Sequence, residues 1–199
     1  MSDPVDGARA AIDAVHAEDP ETRAGRPAEL VYADAVEAWV VRLVPGASAT
    51  LRLAARAQHL RRWALPRSDY PMDRVGYHCW RTEQYRRQGA LARQLCVTAG
   101  LAEDEAQRID DLVAKRRLRE PDGQAVEDAA CLVFLSSEIA GFAAGHADYT
   151  PERYIDILRK TMRKMSSAGR EAALGLSLPE PFAGLVLAAA TSLRNEPPA

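Results

Sequence analysis

The sequence predicts an all-α protein in which residues 1–199 fold as a single compact helical domain of about seven to eight helices. Three observations support this prediction. Apolar residues recur at steps of three and four along most of the chain, which is the period of an amphipathic helix. The alternation of apolar and polar residues that indicates strands does not occur convincingly. The length also suits one well-packed domain.

Three helices are predicted in the first third of the chain. Residues 1–24 are expected to form an N-terminal helix and a connection, because an Asp-Pro pair interrupts the first apolar run. The next helix covers residues 28–44 and stops at a Pro-Gly pair. Residues 48–63 form the third helix, with Ser48 or Thr50 as its N-cap and a proline beyond its end.

Five more helices are predicted in the rest of the chain. Gly100 suits the position after a helix C-terminus, and Thr150 with Pro151 suits a helix start. A turn is expected at residues 121–123, and two serines and a glycine should end the seventh helix. Residues 194–199 should form a flexible tail. The predicted helices are residues 74–99, 102–118, 124–144, 152–165 and 181–195.

Charge and composition argue against several broad classes. The chain has 26 basic and 28 acidic residues and a net charge of -2, so nothing attracts it as a whole to nucleic acid or an anionic membrane. The three cysteines lack CxxC spacing, which favours free thiols in a reducing compartment. The apolar runs are far shorter than the roughly 18 residues of a membrane span. We therefore expect a soluble cytoplasmic protein with no membrane or nucleic-acid partner.

Residues 57–81, AQHLRRWALPRSDYPMDRVGYHCWR, are rich in arginine, tryptophan and tyrosine. Guanidinium groups bind carboxylate and phosphate oxygens and stack on aromatic rings. The segment therefore predicts the wall of a site for a small anionic molecule. The alternative is a solvated basic helix end followed by a loop held by Arg–Asp pairs. The candidate substrate-binding residues here are Arg62, Arg67, Tyr70, Asp73, Tyr77, Trp80 and Arg81.

His59 is the central candidate for chemistry. The helical period places it near the edge of the apolar stripe of the third helix, where a histidine is often only a satisfied boundary residue. Glu127 and Asp128 open the most apolar helix, and carboxylates at the edge of a core need a cation, a donor or a metal beside them. We expect these three residues to be catalytic. A role as helix-dipole partners is the alternative for the two acids.

Several long blocks carry a resemblance to a known family. YADAVEAWV, AARAQHLRRW, PRSDYPMDRVGY, VEDAACLVFL and YIDILRKTMRKMS together cover most of the chain. They resemble the family catalogued as domain of unknown function 4202, a mostly bacterial group without an assigned reaction. The resemblance implies an all-α fold and supplies no mechanism.

The chain more distantly resembles the HD phosphohydrolase superfamily, which would imply an HD-like core. The resemblance places Gln58 and His59 at the His-Asp dyad of that superfamily, Tyr32 at its first histidine and Asp128 at its last aspartate. Tyr32 then joins the catalytic candidates, and His59 with Asp128 could hold one divalent ion, Zn, Fe or Mn. Gln88 stands where the closer family usually carries a histidine, and an amide is a weaker ligand for these metals. Gln58 and Gln88 are expected to line the substrate site.

The function expected from these features is an enzyme that acts on a small anionic metabolite. His59 would serve either as a metal ligand or as a general base, in hydrolase-like or biosynthetic acid-base chemistry. The alternative is a non-catalytic protein that uses residues 57–81 to bind a small molecule or a partner. The oligomeric state stays open, with a homodimer as one option.

Overall fold

The all-α fold class is confirmed in the computed structural model, which describes residues 3–195. Ten α-helices occur in this range. A two-residue hairpin of β1 (Thr22–Arg23) and β2 (Arg26–Pro27) is the only sheet among the described residues. The helices are α1 (Pro4–His16), α2 (Ala28–Leu43), α3 (Ala49–Arg56), α4 (Arg74–Thr98), α5 (Glu103–Val113), α6 (Pro121–Val133), α7 (Ile139–Ala144), α8 (Pro151–Arg163), α9 (Ser167–Leu174) and α10 (Phe182–Arg194).

The predicted helix ends are confirmed where a cap or a glycine specified them. The Ser48 hydroxyl accepts a hydrogen bond from the backbone N–H of Leu51 at 3.1 Å, and Thr150 accepts one from that of Arg153 at 3.4 Å. Gly100 follows α4 with a φ of 97°, a conformation that favours glycine. These signals are local, so they can be read without knowing the tertiary structure.

The third helix is shorter than predicted, and this changes the position of His59. α3 ends at Arg56, and residues 57–61 form turns in which His59 has a φ of 67° and Arg61 a φ of 50°. The prediction that His59 lies on a helix is therefore wrong. The physical reason is a long-range contact: the Nε2 atom of the buried His16 lies 2.9 Å from the carbonyl oxygen of Arg56. That carbonyl thus bonds a side chain of α1 at the point where α3 stops.

A buried ion network joins α1, α2 and α3. The Arg56 side chain, only 5% exposed, contacts Asp13 on α1 and two acids on α2. The distances from its Nη1 are 2.9 Å to Asp34 Oδ1 and 3.0 Å to Glu37 Oε2. Glu37 also binds one arginine on α1 and a second arginine on α3. Because the charges are paired, the network can lie between the helices at a tolerable desolvation cost.

Three further segments differ from the predictions. Residues 121–123, predicted as a turn, form the first turn of α6, where a proline is well tolerated. The predicted break after the seventh helix is followed by α9, because the Ser166 hydroxyl accepts from the backbone N–H of Gly169 at 3.0 Å and caps a new helix. The predicted helix 124–144 changes to π-helical geometry over Phe134–Glu138.

The residues up to Val126 form one compact unit. In this unit α3 packs against α2 and α5, and α4 packs against α5 and α1. Its buried apolar side chains include Ile12, Val36, Val40, Leu51, Leu53, Leu60, Ile109 and Leu112.

The residues from Glu127 onwards form a second compact unit. In this unit α8 packs against α10, and α10 also packs against α9. Its buried apolar side chains include Leu132, Leu135, Leu158, Met162 and Ala189. Whether the two units fold as one domain stays a prediction. Most of the predicted flexible tail, residues 196–199, lies outside the described residues.

A helix long and apolar enough to cross a membrane is not found among residues 3–195.

Candidate acid-base site around His59

His59 lies in the turn between α3 and a short 3-10 helix, Arg62–Ala64. Its φ of 67° is the left-handed conformation, which side-chain-bearing residues adopt infrequently. Such a conformation persists only where the surrounding structure holds it in place. The contacts of the imidazole ring show what holds it here.

Three side chains fix the His59 ring. Its Nδ1 atom lies 3.0 Å from Glu29 Oε2, at the start of α2. One turn further along α2, the buried Tyr32 ring stacks on the imidazole with a centroid distance of 4.0 Å and an interplanar angle of 5°. On the other edge, Nε2 lies 2.9 Å from Arg62 Nη1. The ring is therefore oriented by a carboxylate, an aromatic face and a guanidinium.

These contacts define the tautomer of His59. A guanidinium only donates hydrogen bonds, so Nε2 must offer its lone pair to Arg62. The proton of the neutral ring then sits on Nδ1 and is donated to the Glu29 carboxylate. A carboxylate on Nδ1 with the lone pair on Nε2 is the arrangement that histidine needs in order to act as a base through Nε2.

Glu29 occupies an unusual environment for a carboxylate. Burial raises its pKa to about 7, and the charges of Arg62 and His16 only partly oppose this effect. The backbone N–H of Glu29 donates to Asp19 Oδ2 at 2.8 Å, so a second acid caps the start of α2. Glu29 therefore changes its protonation near neutral pH while it contacts His59.

The backbone around Arg62 is held firmly by α4. Gln84, which is buried, donates through Nε2 to the carbonyl oxygens of Arg62 at 2.9 Å and Leu65 at 3.1 Å. Trp80 Nε1 donates to the same Leu65 carbonyl at 2.8 Å. The Arg62 guanidinium lies 5.3 Å from the centre of the Trp80 ring, within the range of a cation–π contact. Two of the predicted substrate-site residues, Arg62 and Trp80, are thus brought together.

The Arg62 guanidinium retains donors for a ligand. It has five N–H groups, and within residues 3–195 the one acceptor it contacts is the neutral Nε2 of His59. No carboxylate among those residues forms an ion pair with it, and its side chain is partly exposed. Arg62 acts electrostatically on the Glu29 carboxyl without a direct ion pair, so an anion placed here would meet a guanidinium with N–H donors still available.

Arg67 and Asp73, two other predicted binding residues, hold the loop instead. The Arg67 guanidinium donates to the carbonyl oxygens of Tyr70 at 3.0 Å, Pro71 at 2.6 Å and Asp73 at 3.2 Å. The Asp73 carboxylate caps α4 through the backbone N–H of Gly76 at 2.7 Å. For this part of the segment the alternative of a held loop describes the contacts well, except that Arg67 bonds backbone carbonyl oxygens and not aspartate carboxylates.

The remaining candidates from the segment and its neighbours have mixed positions. The Tyr77 side chain is exposed, and the Tyr70 side chain is half-buried. Arg81 Nε donates to the hydroxyl of Tyr85 at 2.5 Å. The two glutamines from the family comparison are buried: Gln58 donates to the Ala54 carbonyl at 2.9 Å, and Gln88 donates to Gln84 Oε1 at 3.2 Å. Gln88 thus supports the residue that anchors the backbone of Arg62.

Asp128 and Glu127 lie on α6, within the second unit. The Asp128 carboxylate accepts from the backbone N–H of Ser166 at 2.8 Å and from its hydroxyl at 2.5 Å. Because Ser166 caps α9, Asp128 fixes the start of that helix. Glu127 is half-buried one residue earlier. The catalytic roles assigned to these two acids stay predictions.

The residues present do not fit a metal centre. Among the described side chains, no three or more His, Cys, Asp and Glu groups are arranged to hold a metal ion. Both ring nitrogens of His59 are engaged with Glu29 and Arg62, and both oxygens of Asp128 are engaged with Ser166. Amide and phenol side chains at the other expected positions are weak substitutes for imidazole.

Sequence reasoning missed Glu29 and Gln84. Glu29 stands in the first turn of α2, where an acid is usually explained by the helix dipole. Gln84 lies on a helix without any local mark of its function. Their contacts cross 30 and 22 residues of sequence, to His59 and Arg62 respectively. A local pattern could not have identified either of them.

The fold and site together define an all-α protein with a carboxylate–histidine–arginine cluster in its first unit. The chain matches the family described as "Domain of unknown function (DUF4202)" over residues 6–186. It belongs to this family, as the sequence blocks predicted. No curated protein and no solved structure matches the chain.

Proposed function

We propose that the protein is an enzyme in which His59 acts as a general base on a small anionic substrate bound by Arg62. The observation that carries the proposal is the alignment of Glu29, His59 and Arg62. The 3.0 Å contact to Glu29 sets the Nδ1–H tautomer, and the 2.9 Å contact places a guanidinium beside Nε2. A base and an anion receptor are therefore adjacent.

Each residue has a distinct task in this scheme. Arg62 binds a carboxylate or phosphate group of the substrate. His59 Nε2 takes a proton from an X–H bond of the substrate or of water, and the electron pair of that bond stays on X. Glu29 accepts the hydrogen bond from Nδ1 and stabilises the imidazolium that forms. Tyr32 keeps the ring in plane by stacking, and acts as a positioning residue.

The identity of X separates two versions of the proposal. If X–H is a water molecule, the chemistry is hydrolysis, in keeping with the suggested distant relation to HD phosphohydrolases and an HD-like core. If X–H belongs to the substrate, the chemistry is proton abstraction in a biosynthetic or rearrangement step. Neither version requires a metal, and the side chains around His59 favour neither over the other.

The test begins with binding and ends with turnover. A panel of small phosphates and carboxylates is screened by the thermal shift they cause, and the compounds that bind are followed by ¹H and ³¹P NMR for conversion. His59→Asn is the informative variant, because asparagine tolerates a positive φ. It should keep binding and lower turnover by about 10²- to 10⁴-fold. Turnover at the wild-type rate in this variant would exclude His59 as the base.

Two arginine variants provide a matched pair for the binding step. Arg62→Met should abolish the thermal shift, because the guanidinium that faces the site is lost. Arg61→Met, on the neighbouring residue, removes only an exposed ion pair with Glu18 at 2.8 Å and should bind normally. If compounds bind through Arg62 and none is converted, the protein is the non-catalytic binding module that the sequence left as the alternative.

A further inference from the structure

The site as it stands has no lone pair available for a substrate. His59 Nδ1 is engaged with Glu29, and Nε2 is engaged with Arg62. A base whose acceptor atom is already hydrogen-bonded cannot take a proton until that bond breaks. The residue proposed to receive the anion is therefore the same residue that covers the base.

The covering bond joins the Arg62 guanidinium to an acceptor that carries no negative charge. The backbone carbonyl of Arg62 is fixed by the buried Gln84, so the 3-10 helix need not move. Its guanidinium contacts a neutral nitrogen and the face of Trp80, and the Glu29 carboxyl attracts it without a direct ion pair. A carboxylate or phosphate offers charged oxygens that accept two parallel N–H bonds from a guanidinium, whereas the neutral Nε2 accepts only one. An incoming anion should therefore draw the guanidinium away from His59.

We propose that Arg62 couples substrate recognition to activation of the base: the substrate's anionic group takes the Arg62 guanidinium and so uncovers His59 Nε2. This inference rests on the proposed function and names its substrate class. The substrate carries a carboxylate or phosphate close to the X–H bond that reacts, and a neutral analogue leaves the base covered. Arg62 thus determines specificity in addition to binding.

The experiment measures how fast the neutral imidazole of His59 is modified. Diethyl pyrocarbonate acylates a histidine ring nitrogen whose lone pair is neither protonated nor hydrogen-bonded. Peptide mass spectrometry reports the modification of each histidine separately. His78 is exposed and serves as an internal reference, whereas His16 is buried and should stay unmodified. Sulfate is the probe anion, because it does not titrate near neutral pH, and sodium chloride at equal ionic strength is the control.

Sulfate should accelerate modification of His59 several-fold without changing His78. In the Arg62→Met variant, His59 should be modified rapidly without sulfate, and sulfate should not change this rate. Arg61→Met should behave like the wild type. In an ordinary binding site sulfate would slow the modification of His59, since a bound ligand protects the residues around it. Slower or unchanged modification with sulfate, or an Arg62→Met rate equal to that of the wild type, would overturn the inference.

The same variants separate this inference from the proposed function. If His59→Asn abolishes turnover and sulfate fails to expose His59, then His59 is the base and Arg62 does not cover it. If sulfate exposes His59 and His59→Asn turns over normally, then the coupling exists without the proposed chemistry. Each result therefore decides one statement independently of the other.

Discussion

Replacing Arg56 by methionine should destabilise the first unit more than any other single arginine replacement in the α1–α3 network. Methionine keeps most of the side-chain volume and removes the charge and all donors. The change leaves Asp13, Asp34 and Glu37 close together without the cation that lies between them. The net cost depends on how far water and the remaining arginines replace the lost contacts of the three acids.

The structure allows the magnitude to be worked out. Three charge-assisted contacts at about 1.5–3 kcal/mol each would give an upper figure of roughly 4.5–9 kcal/mol. Asp13 and Asp34 are about one-third exposed and can regain water, and Glu37 keeps its bidentate pair with Arg9. The expected loss is therefore about 3–5 kcal/mol, the range found when one partner of a buried ion pair is removed.

Arg52 provides the matched control. It lies on the same helix and contacts Glu37 at 3.1 Å, and its side chain is 47% exposed. Arg52→Met should cost no more than about 1 kcal/mol, because an exposed ion pair contributes little. Both variants remove one positive charge. A difference between their unfolding free energies therefore reports the effect of burial and of the number of contacts that each arginine makes.

The assay is urea unfolding followed by tryptophan fluorescence. The three tryptophans, Trp39, Trp63 and Trp80, all lie in the first unit, so the signal reports on that unit alone. The midpoint and slope give the free energy of unfolding for each variant. A loss below about 1 kcal/mol for Arg56→Met, or equal losses for both variants, would refute the account of a network centred on Arg56.

The pH dependence gives a second check on the same variant. Burial opposes ionisation of Glu37, but hydrogen bonds from Arg9, Arg56 and Arg52 hold its pKa below the ordinary value of 4.5. A lowered pKa contributes stability above pH 4.5 that is lost as the pH falls through the folded-state pKa. The deficit of Arg56→Met relative to the wild type should therefore shrink below pH 4.5. A deficit that grows with acid would contradict this.

Three further predictions concern stability. The pKa of Glu29 is raised from 4.5 to about 7, so the folded state holds this proton more tightly than the unfolded chain does. The free energy of unfolding should therefore fall by on the order of 3 kcal/mol as the pH rises from 4.5 to about 7. Glu29→Gln should lack this pH dependence, and an unchanged dependence would argue against assigning it to Glu29. Gly169→Ala should destabilise the second unit, because the new Cβ would lie 2.6 Å from Asp128 Cγ. Gly141→Ala has open space around its Cβ and should stabilise the second unit by up to about 1 kcal/mol. Hydrogen exchange of the amides in α7 to α9 measures both effects, and equal effects would refute the packing argument. Gln84→Ala should cost about 1–3 kcal/mol in the fluorescence assay, because the Arg62 carbonyl loses its side-chain donor and the Leu65 carbonyl keeps only that of Trp80. A negligible cost would mean that water replaces the amide.

Most of the fold could be predicted because helix signals are local. Ser48, Thr150 and Gly100 act through contacts within one turn, and all three behave as the sequence indicated. The end of α3 could not be predicted, because it depends on His16 reaching the Arg56 carbonyl from 40 residues away. An extended helix through His59 was the natural expectation from periodicity alone.

The candidate site was predicted only in part. The chemistry of residue types pointed to His59, Arg62 and Trp80, and these lie together. It also pointed to Arg67 and Asp73, whose donors and acceptors are used within the loop. Residue type indicates what a side chain can bind, but the backbone around it decides whether a ligand or the chain itself is bound.

The sequence by itself determined the helical class, the family, and the segment that carries the arginines and aromatic rings. These properties depend on periodicity, composition and blocks of matching residues, which are all written along the chain. Only the tertiary structure decided that Glu29 contacts one ring nitrogen of His59 and that Arg62 contacts the other. The positive φ of His59 turns the ring out of the α3 register and into contact with α2. Such a turn is stabilised by contacts between distant residues, so no local sequence pattern specifies it.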